Sequence, residues 1–322
     1  MQVSAISAFW RRFKRIFRGA GVSSKSAMTK AKGRKTAIHI PRLRLDVEPT
    51  RYLAVVAIVK NEGRYLSEWI EFQRLMGADQ VYLYDNGSTD NTDAVLAPFV
   101  AEGFVTAVPW ITFDHDLCTQ RQAYAHALSN FGSDFRWMAF IDLDEFLFPV
   151  AAPSLVDALS DYEDDFAICV PWFMFGHCGH ETPPAGLVIE NYTARALYPP
   201  KPGCEPLMKW KSIVQPTAVV AVSSMHMFDL SNGITGGVDE NREPVTRKTE
   251  RTPPPSKIFR LNHYFTRSRQ EFAVKAKDGG LGSRGPRKRQ HLGDMIEAET
   301  VYDDTILRFS PALRARMNGE QL

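Results

Sequence analysis

Residues 52–92 read YLAVVAIVKNEGRYLSEWIEFQRLMGADQVYLYDNGSTDNT, and the fold is decided here. Tyr52–Val59 is an unbroken apolar, β-branched run, the pattern of a strand buried on both faces. It stops at Lys60-Asn61-Glu62-Gly63. Leu66, Trp69, Ile70, Phe72 and Leu75 then recur at helical spacing, and Gly77 ends that helix. Gln80–Tyr84 is a second strand, stopping at Asp85-Asn86-Gly87-Ser88. The alternation continues downstream. Thr92–Ala101 reads as a helix with Pro98 disturbing its end, Phe104–Pro109 as a strand, Cys118–Phe131 as a helix, and Trp137–Ile141 as a strand running into Asp142-Leu143-Asp144-Glu145. This βαβαβαβ order predicts a mainly parallel sheet with helices on both faces. Polar residues collect after three strand ends, the edge where open α/β sheets bind ligands.

Composition agrees with a globular chain. Of 322 residues, 44% are hydrophobic and 24% charged, which excludes wholesale disorder. The cysteines at 118, 169, 178 and 204 form no CxxC pair, so neither a disulfide framework nor a four-thiolate zinc site is expected. GxGxxG, GxxxxGK[ST] and GxSxG are all missing, which removes the ordinary dinucleotide, ATPase and serine-hydrolase readings.

The net charge of +2 hides a division. Residues 1–44 hold 12 Lys or Arg and no acid, leaving 27 basic against 37 acidic residues in the rest. A mildly acidic body argues against nucleic acid as a partner. Within FWRRFKRIFRG, residues 9–19, Phe9, Trp10, Phe13, Ile16 and Phe17 fall on one helical arc, with Arg11, Arg12, Lys14, Arg15 and Arg18 around the remainder. That pattern suits a helix lying on an anionic membrane surface through residues 9–18. A disordered basic tail and a helix packed on the body are the alternatives. The longest apolar run, Leu53–Val59, is too short to span a bilayer. The sequence thus predicts a cytoplasmic protein, peripheral at the membrane surface.

In FIDLDEFLFP, residues 140–149, Asp142 and Asp144 end a strand two positions apart. In extended backbone such side chains face the same way. Two carboxylates on one face attract a hard divalent cation, Mn²⁺ or Mg²⁺. The competing reading is an acidic turn.

Three separated motifs carry a family resemblance: VAIVKNEGRYLSEWIEFQRLMGADQVYLYDNGSTDNT (56–92), FIDLDEFLFP (140–149) and LNHYFTRSRQEFAVKAKDGG (261–280). Together, over residues 51–280, the chain resembles the family 92 glycosyltransferases, which are similar to family 2. The resemblance implies a GT-A, nucleotide-diphospho-sugar transferase fold, Rossmann-like, with an irregular C-terminal acceptor portion. It also implies metal-dependent, inverting transfer of a hexose from a UDP-sugar, galactose among the known donors of the family. Matched position by position, Asp142 and Asp144 fall on the metal and nucleotide motif, Asn61 and Glu62 on the first loop, and Asp85 and Asp90 beside the nucleotide. Animal members often carry a membrane anchor that this sequence is expected to lack.

Further site residues are expected from residue chemistry. Asp90 either contacts the nucleotide or caps the helix beginning near Asn91. Arg121 reaches the diphosphate, pairs with an aspartate, or is a surface arginine. Lys209 and Lys211 alternate on a strand, and Lys211 is the candidate phosphate partner. His226 and His263 compete as the metal ligand from the C-terminal half, with a hydrogen-bonded core histidine as the alternative for both. Trp172 or Phe173 is a candidate sugar platform. Arg267, Arg269 and Lys275 form a candidate positive edge over the diphosphate. An inverting transfer needs a base beside the acceptor hydroxyl. Glu181 is the first choice and Asp229 the second, with Asp239 and Glu240 also available; Glu145 reads as a brace. His177, Cys178 and His180 are too tightly spaced for a structural zinc site.

The predicted organisation is a basic arm and linker at 1–44, a GT-A domain at 45–312 divided into a nucleotide-sugar half (45–149) and an acceptor half (150–312), and a tail at 313–322. Short strands are expected at Phe166–Pro171, Leu187–Asn191 and Val219–Val222, and a helix around Gln270–Lys277. The predicted activity is transfer to a glycan or glycolipid acceptor, as in polysaccharide biosynthesis. The competing readings are a non-catalytic carbohydrate-binding protein on the same fold and a metal-dependent nucleotidyltransferase.

Overall fold

The computed structural model describes residues 37–41, 48–112, 118–198, 209–250, 253–278 and 285–320. The basic arm, including residues 9–18, lies outside the described residues, as does Cys204. The compact body begins at Ala37, not at residue 45. The elements of its first half are β1 (Ile38–His39), β2 (Arg51–Val59), α1 (Gly63–Leu75), β3 (Gln80–Asp85), α2 (Thr92–Ala101), β4 (Val105–Pro109), α3 (Thr119–Phe131), β5 (Phe135–Phe140) and β6 (Glu145–Pro149). The second half continues with α4 (Leu155–Leu159), β7 (Ala167–Met174), α5 (Val188–Asn191), β8 (Ala194–Ala196), β9 (Trp210–Val214), β10 (Val219–Val222), β11 (Asp229–Leu230), β12 (Gly237–Val238) and β13 (Pro244–Val245). It closes with β14 (Phe259–His263), α6 (Arg269–Asp278), α7 (Pro286–Glu297), β15 (Thr300–Tyr302) and α8 (Ser310–Met317).

The main sheet runs β13-β12-β7-β9-β5-β2-β3-β4, with β14 joining β7 to β6. The strands β5, β2, β3 and β4 are mutually parallel. Alternation along β2 explains the layers. Leu53, Val55, Ala57 and Val59 pack with Leu66, Trp69, Ile70 and Phe72 of α1 and with Leu96 and Phe99 of α2. Ala54, Val56 and Ile58 pack on the other face with Ala123, Tyr124, Ala127 and Leu128 of α3. Every one of these β2 side chains is buried, which is why the strand reads as a continuous apolar run. This is the mainly parallel α/β architecture, with helices on both faces of the sheet, expected from the sequence.

β9 is the departure from parallel order. It inserts antiparallel between β5 and β7. Its start therefore lies at the edge where β5 ends, the edge that carries the polar loops.

Several expectations need correction. Ile38–His39, placed in the arm, pairs with Ala221–Val222 of β10 and belongs to the body. Leu313, placed in the tail, is fully buried in α8, and Arg316 beside it pairs with Glu71 of α1 at 2.7 Å. Leu187–Asn191 is not a strand. Val188–Asn191 is a helical turn because Glu68, from the buried face of α1, accepts from the Val188 N–H at 2.8 Å and the Ile189 N–H at 3.3 Å. A carboxylate there satisfies free N–H groups at a helix start, which an isolated apolar pentapeptide does not reveal. By contrast, α2 has the expected bounds, Thr92–Ala101, with Pro98 in its last turns. The strand β6, the strand β14 and the helix α7 were not anticipated.

Burial pushes the Glu68 carboxyl up from 4.5 to about 7, against the pull of its two N–H donors. A raised carboxyl keeps its proton in the folded state while the unfolded chain has already lost it. Folding stability attached to Glu68 is therefore full below pH 4.5 and declines as pH rises to about 7. At 1.36 kcal/mol per pH unit this amounts to about 3 kcal/mol. Urea unfolding of the wild type and Glu68→Gln at pH 4.5, 6 and 8 checks it. The variant should gain on the wild type by roughly that amount between the first and last pH; parallel profiles would refute the assignment.

Candidate active site at the sheet edge

Loops after β2 and β3 are tied together before any ligand is considered. Asn61 takes a left-handed backbone with φ of 56°, which asparagine tolerates. Its Oδ1 accepts from the Thr89 N–H at 2.7 Å, and its own N–H donates to Ser88 Oγ at 2.9 Å. Asp85 accepts from Ser88 N–H and Oγ. Asp90 takes the capping role. One oxygen accepts from the Gly63 N–H, opening α1, and the other from the N–H and hydroxyl of Thr92, opening α2. Gly63 permits the close approach, since a Cβ there would stand 2.2 Å from Asn91 Oδ1.

The Asp-Leu-Asp segment is a turn, not the end of an extended strand. Glu145 N–H donates to the Asp142 carbonyl at 3.0 Å, reversing the chain from β5 into β6. The Asp142 N–H donates back to Glu145 Oε2 at 2.8 Å. The two aspartates consequently diverge. Asp142 meets Gln120 Nε2 at 2.6 Å and Lys211 Nζ at 2.8 Å. Asp144 meets His263 Nε2 at 3.3 Å and Lys275 Nζ at 2.5 Å.

The strand register explains the third member. β6 and β14 are antiparallel, and Glu145 lies directly opposite His263. Cross-strand partners share a face, and Glu145 Oε1 comes within 3.8 Å of His263 Nδ1. Both atoms are buried without a hydrogen-bond partner. Asp144, Glu145 and His263 each present one ligand atom, all within 4.8 Å of one another. Among the described residues this is the group of His, Cys, Asp and Glu that can hold an ion. Two carboxylates and one imidazole, with one carboxylate oxygen and one ring nitrogen left unsatisfied, fit a divalent cation of the Mg²⁺ or Mn²⁺ kind. Of the expected ligands, Asp144 and His263 are therefore in the group. Asp142 stands beside it, committed to Gln120 and Lys211. His226 lies outside it, with Nδ1 at 3.1 Å from the Trp210 carbonyl. Trp172 separates the two histidines, its ring 4.5 Å from His263 and 5.3 Å from His226.

Charge at the site is dominated by burial and its compensation. Burial works to raise Asp142, but Lys211 outweighs it and holds the carboxyl below its ordinary range. Asp144 is likewise driven up by burial and pulled well below the usual range by Lys275, His263 and Arg267 together. Glu145 goes the other way, pushed well above by burial and by the neighbouring Asp142 charge. His226 falls to about 3 through burial and the nearby Lys211. Lys211, 2% exposed, lies 2.8 Å from Asp142 and 3.3 Å from Glu145. It is an internal counterion; Lys209, expected on the same face, is exposed.

Other expected residues are placed differently. Arg121 is buried and donates to the Ser223 carbonyl. Its neighbour Gln120 is the one that reaches Asp142. Arg267 is a buried anchor, donating to Glu62 at 2.6 Å with its guanidinium 3.9 Å from the Tyr65 ring centre. Glu181 is exposed and pairs with Arg269 at 2.7 Å. Asp229 accepts from Thr235 Oγ1 within its own turn. Glu240 accepts from the N–H groups of Lys257, Ile258 and Phe259, and Asp239 from those of Asn241 and Glu243, so both organise loops. Phe173 is buried under Arg260 rather than offered to a sugar. His177, Cys178 and His180 face separate partners, Glu297, the Ala194 N–H and the Asn191 carbonyl.

Among known proteins, a family 92 glycosyltransferase protein of Ricinus communis is 26% identical over 225 residues, covering 65% of this chain and 38% of that protein. One of Oryza sativa subsp. japonica is 28% identical over 190 residues, covering 56% and 30%. The chain thus spans between 30% and 38% of the length of these curated relatives. Of solved structures, S. aureus TarS is similar with a TM-score of 0.36 and 12% identity, over 75% of this chain and 42% of that one. The family model for glycosyltransferase family 92 matches residues 56–285. With well over half of its length matched, and the strand-edge cluster inside the matched region, the chain belongs to glycosyltransferase family 92.

Proposed function

We propose that the protein is a metal-dependent glycosyltransferase moving a hexose, with inversion, from a UDP-sugar to a hydroxyl of a glycan or glycolipid. The observation that carries this reading is the Asp144, Glu145 and His263 group at the edge where β5, β2 and β3 end. Asp144, Glu145 and His263 would hold Mn²⁺ or Mg²⁺, which when bound neutralises the diphosphate as it departs. Asn61, Glu62 and Asp85 stand on the two loops at the same edge and form the nucleotide side. Asp142, positioned by Gln120 and Lys211, supplies a further acceptor oxygen toward the ribose or the ion's water shell.

The acceptor side is the loop after β7. It is docked on α6, since the Arg269 and Gln270 N–H groups donate to the His180 and Glu181 carbonyls at 3.0 Å each. Glu181 is the carboxylate on that docked loop. As general base it would take the acceptor hydroxyl proton once Arg269 releases it. Trp172, half-buried against His263, is the nearest aromatic for a sugar face. No described helix is long and apolar enough to cross a membrane. Attachment to an anionic surface is assigned to the arm, from its sequence pattern.

The first test is Asp144→Asn. It keeps shape and removes one ligand charge where negative charge develops, so the loss should fall on kcat by about 10²–10³, roughly 3–4 kcal/mol. UDP release measured against Mn²⁺ concentration, with thermal melts alongside, decides it. A folded variant with normal kcat and metal requirement would overturn the reading.

Removal of residues 1–20 is the second. Binding to anionic vesicles should drop sharply while transfer to a soluble acceptor continues. Co-sedimentation that is unchanged by the truncation would refute the arm's role.

A further inference from the structure

The cluster contains two lysines with different freedom. Lys211 is enclosed, 2% exposed between Asp142 and Glu145, on a central strand. Lys275 comes from α6 with its side chain 35% exposed. Its ammonium donates to Asp144 Oδ2 at 2.5 Å and to the Phe265 carbonyl at 3.0 Å, and stands 4.4 Å from the Phe265 ring centre. The oxygen it grips is the one that also faces His263 Nε2. The carboxylate presented to a divalent ion is therefore already neutralised by a side chain that has a way out to solvent.

An ion held by Asp144, Glu145 and His263 and an ammonium on the same carboxylate cannot coexist without strong mutual repulsion, because the site is largely shielded from water. We propose that Lys275 is a displaceable counterion. It holds Asp144 in the ion-free protein, is driven off when the divalent ion enters, and its flexible stem then carries the ammonium to the diphosphate. The second half rests on the nucleotide-sugar reading above. One side chain thereby links the two ligands. Alone, the metal must expel Lys275; with nucleotide present, the expelled ammonium gains a new anion, so each ligand tightens the other reciprocally.

The anchoring of α6 leaves room for this exchange. Glu271 accepts from the N–H and hydroxyl of Ser268 and from Tyr65 Oη. The Arg269 and Gln270 N–H groups hold the loop after β7. None of these contacts involves Lys275, so releasing its ammonium does not unseat the helix.

The test uses the full chain as wild type, Lys275→Met and Lys275→Arg. Free Mn²⁺ is followed by electron paramagnetic resonance with and without UDP, and UDP affinity by calorimetry at saturating Mn²⁺. Without UDP, Lys275→Met should bind Mn²⁺ on the order of tenfold more tightly, inside the 5–150-fold range usual for coupled sites. At saturating Mn²⁺ its UDP affinity should fall by a similar factor, and UDP should tighten Mn²⁺ less than in the wild type. Lys275→Arg, which retains a cation, should stay close to the wild type. Equal or weaker Mn²⁺ binding by a folded Lys275→Met, or no binding by any of the three proteins, overturns the proposal. If Lys275→Met tightens Mn²⁺ but UDP changes nothing in the wild type, the counterion role stands and the nucleotide-sugar reading falls.

Discussion

Three carboxylates within four residues, Asp142, Asp144 and Glu145, are gathered at one sheet edge, and Glu145 is fully buried. Buried charge without compensation is among the costliest things a fold can contain. The antiparallel insertion of β9 meets this constraint. It brings Lys211 into a sheet that is otherwise parallel here and sets its ammonium between Asp142 and Glu145. Losing one partner of such a buried pair typically costs about 3–5 kcal/mol, a large part of the 5–15 kcal/mol that keeps a domain folded. The compensation is deliberately incomplete. Glu145 Oε1 and His263 Nδ1 remain unsatisfied, 3.8 Å from each other.

Around this centre, the segment from β14 through α6 serves as a clamp. His263 reaches the carboxylates, Arg267 pairs with Glu62 at the start of α1, Glu271 with Tyr65, and Lys275 with Asp144. The same segment holds the loop after β7 through backbone hydrogen bonds. The loop after β2, the Asp144, Glu145 and His263 group and the loop after β7 are thus connected through a single stretch of chain. This connectivity gives any coupling between those loops and the carboxylate group a physical route, carried by identifiable contacts.

The parallel half was readable because its signals are local. A strand buried on both faces needs a continuous apolar run, and a helix lying on it needs an amphipathic period, so residues 52–141 announce their elements without reference to anything distant. The polar loops after β2, β3 and β5 were legible for the same reason, and with them the interest of Asn61, Asp85 and Asp142–Glu145. The helical turn at Val188 was hidden, because the carboxylate that starts it is 120 residues away on α1. Strands β6 and β14 were hidden in short aromatic runs whose pairing is antiparallel and non-local.

The site divides along the same line. The sequence by itself determined that carboxylates cluster at a strand end in an α/β chain of family 92 type, and that two histidines of the second half compete to join them. Only the tertiary structure decided between His263 and His226, since the choice depends on the register that sets His263 opposite Glu145 while His226 turns to the Trp210 carbonyl. It also decided that Asp142 and Asp144 part company across a turn, that Gln120 rather than Arg121 reaches Asp142, and that Lys211 is enclosed while Lys275 is part-exposed. Side-chain chemistry is written residue by residue. Which charge faces which is set by contacts spanning from 22 to 205 positions in the chain, and no local pattern carries that information.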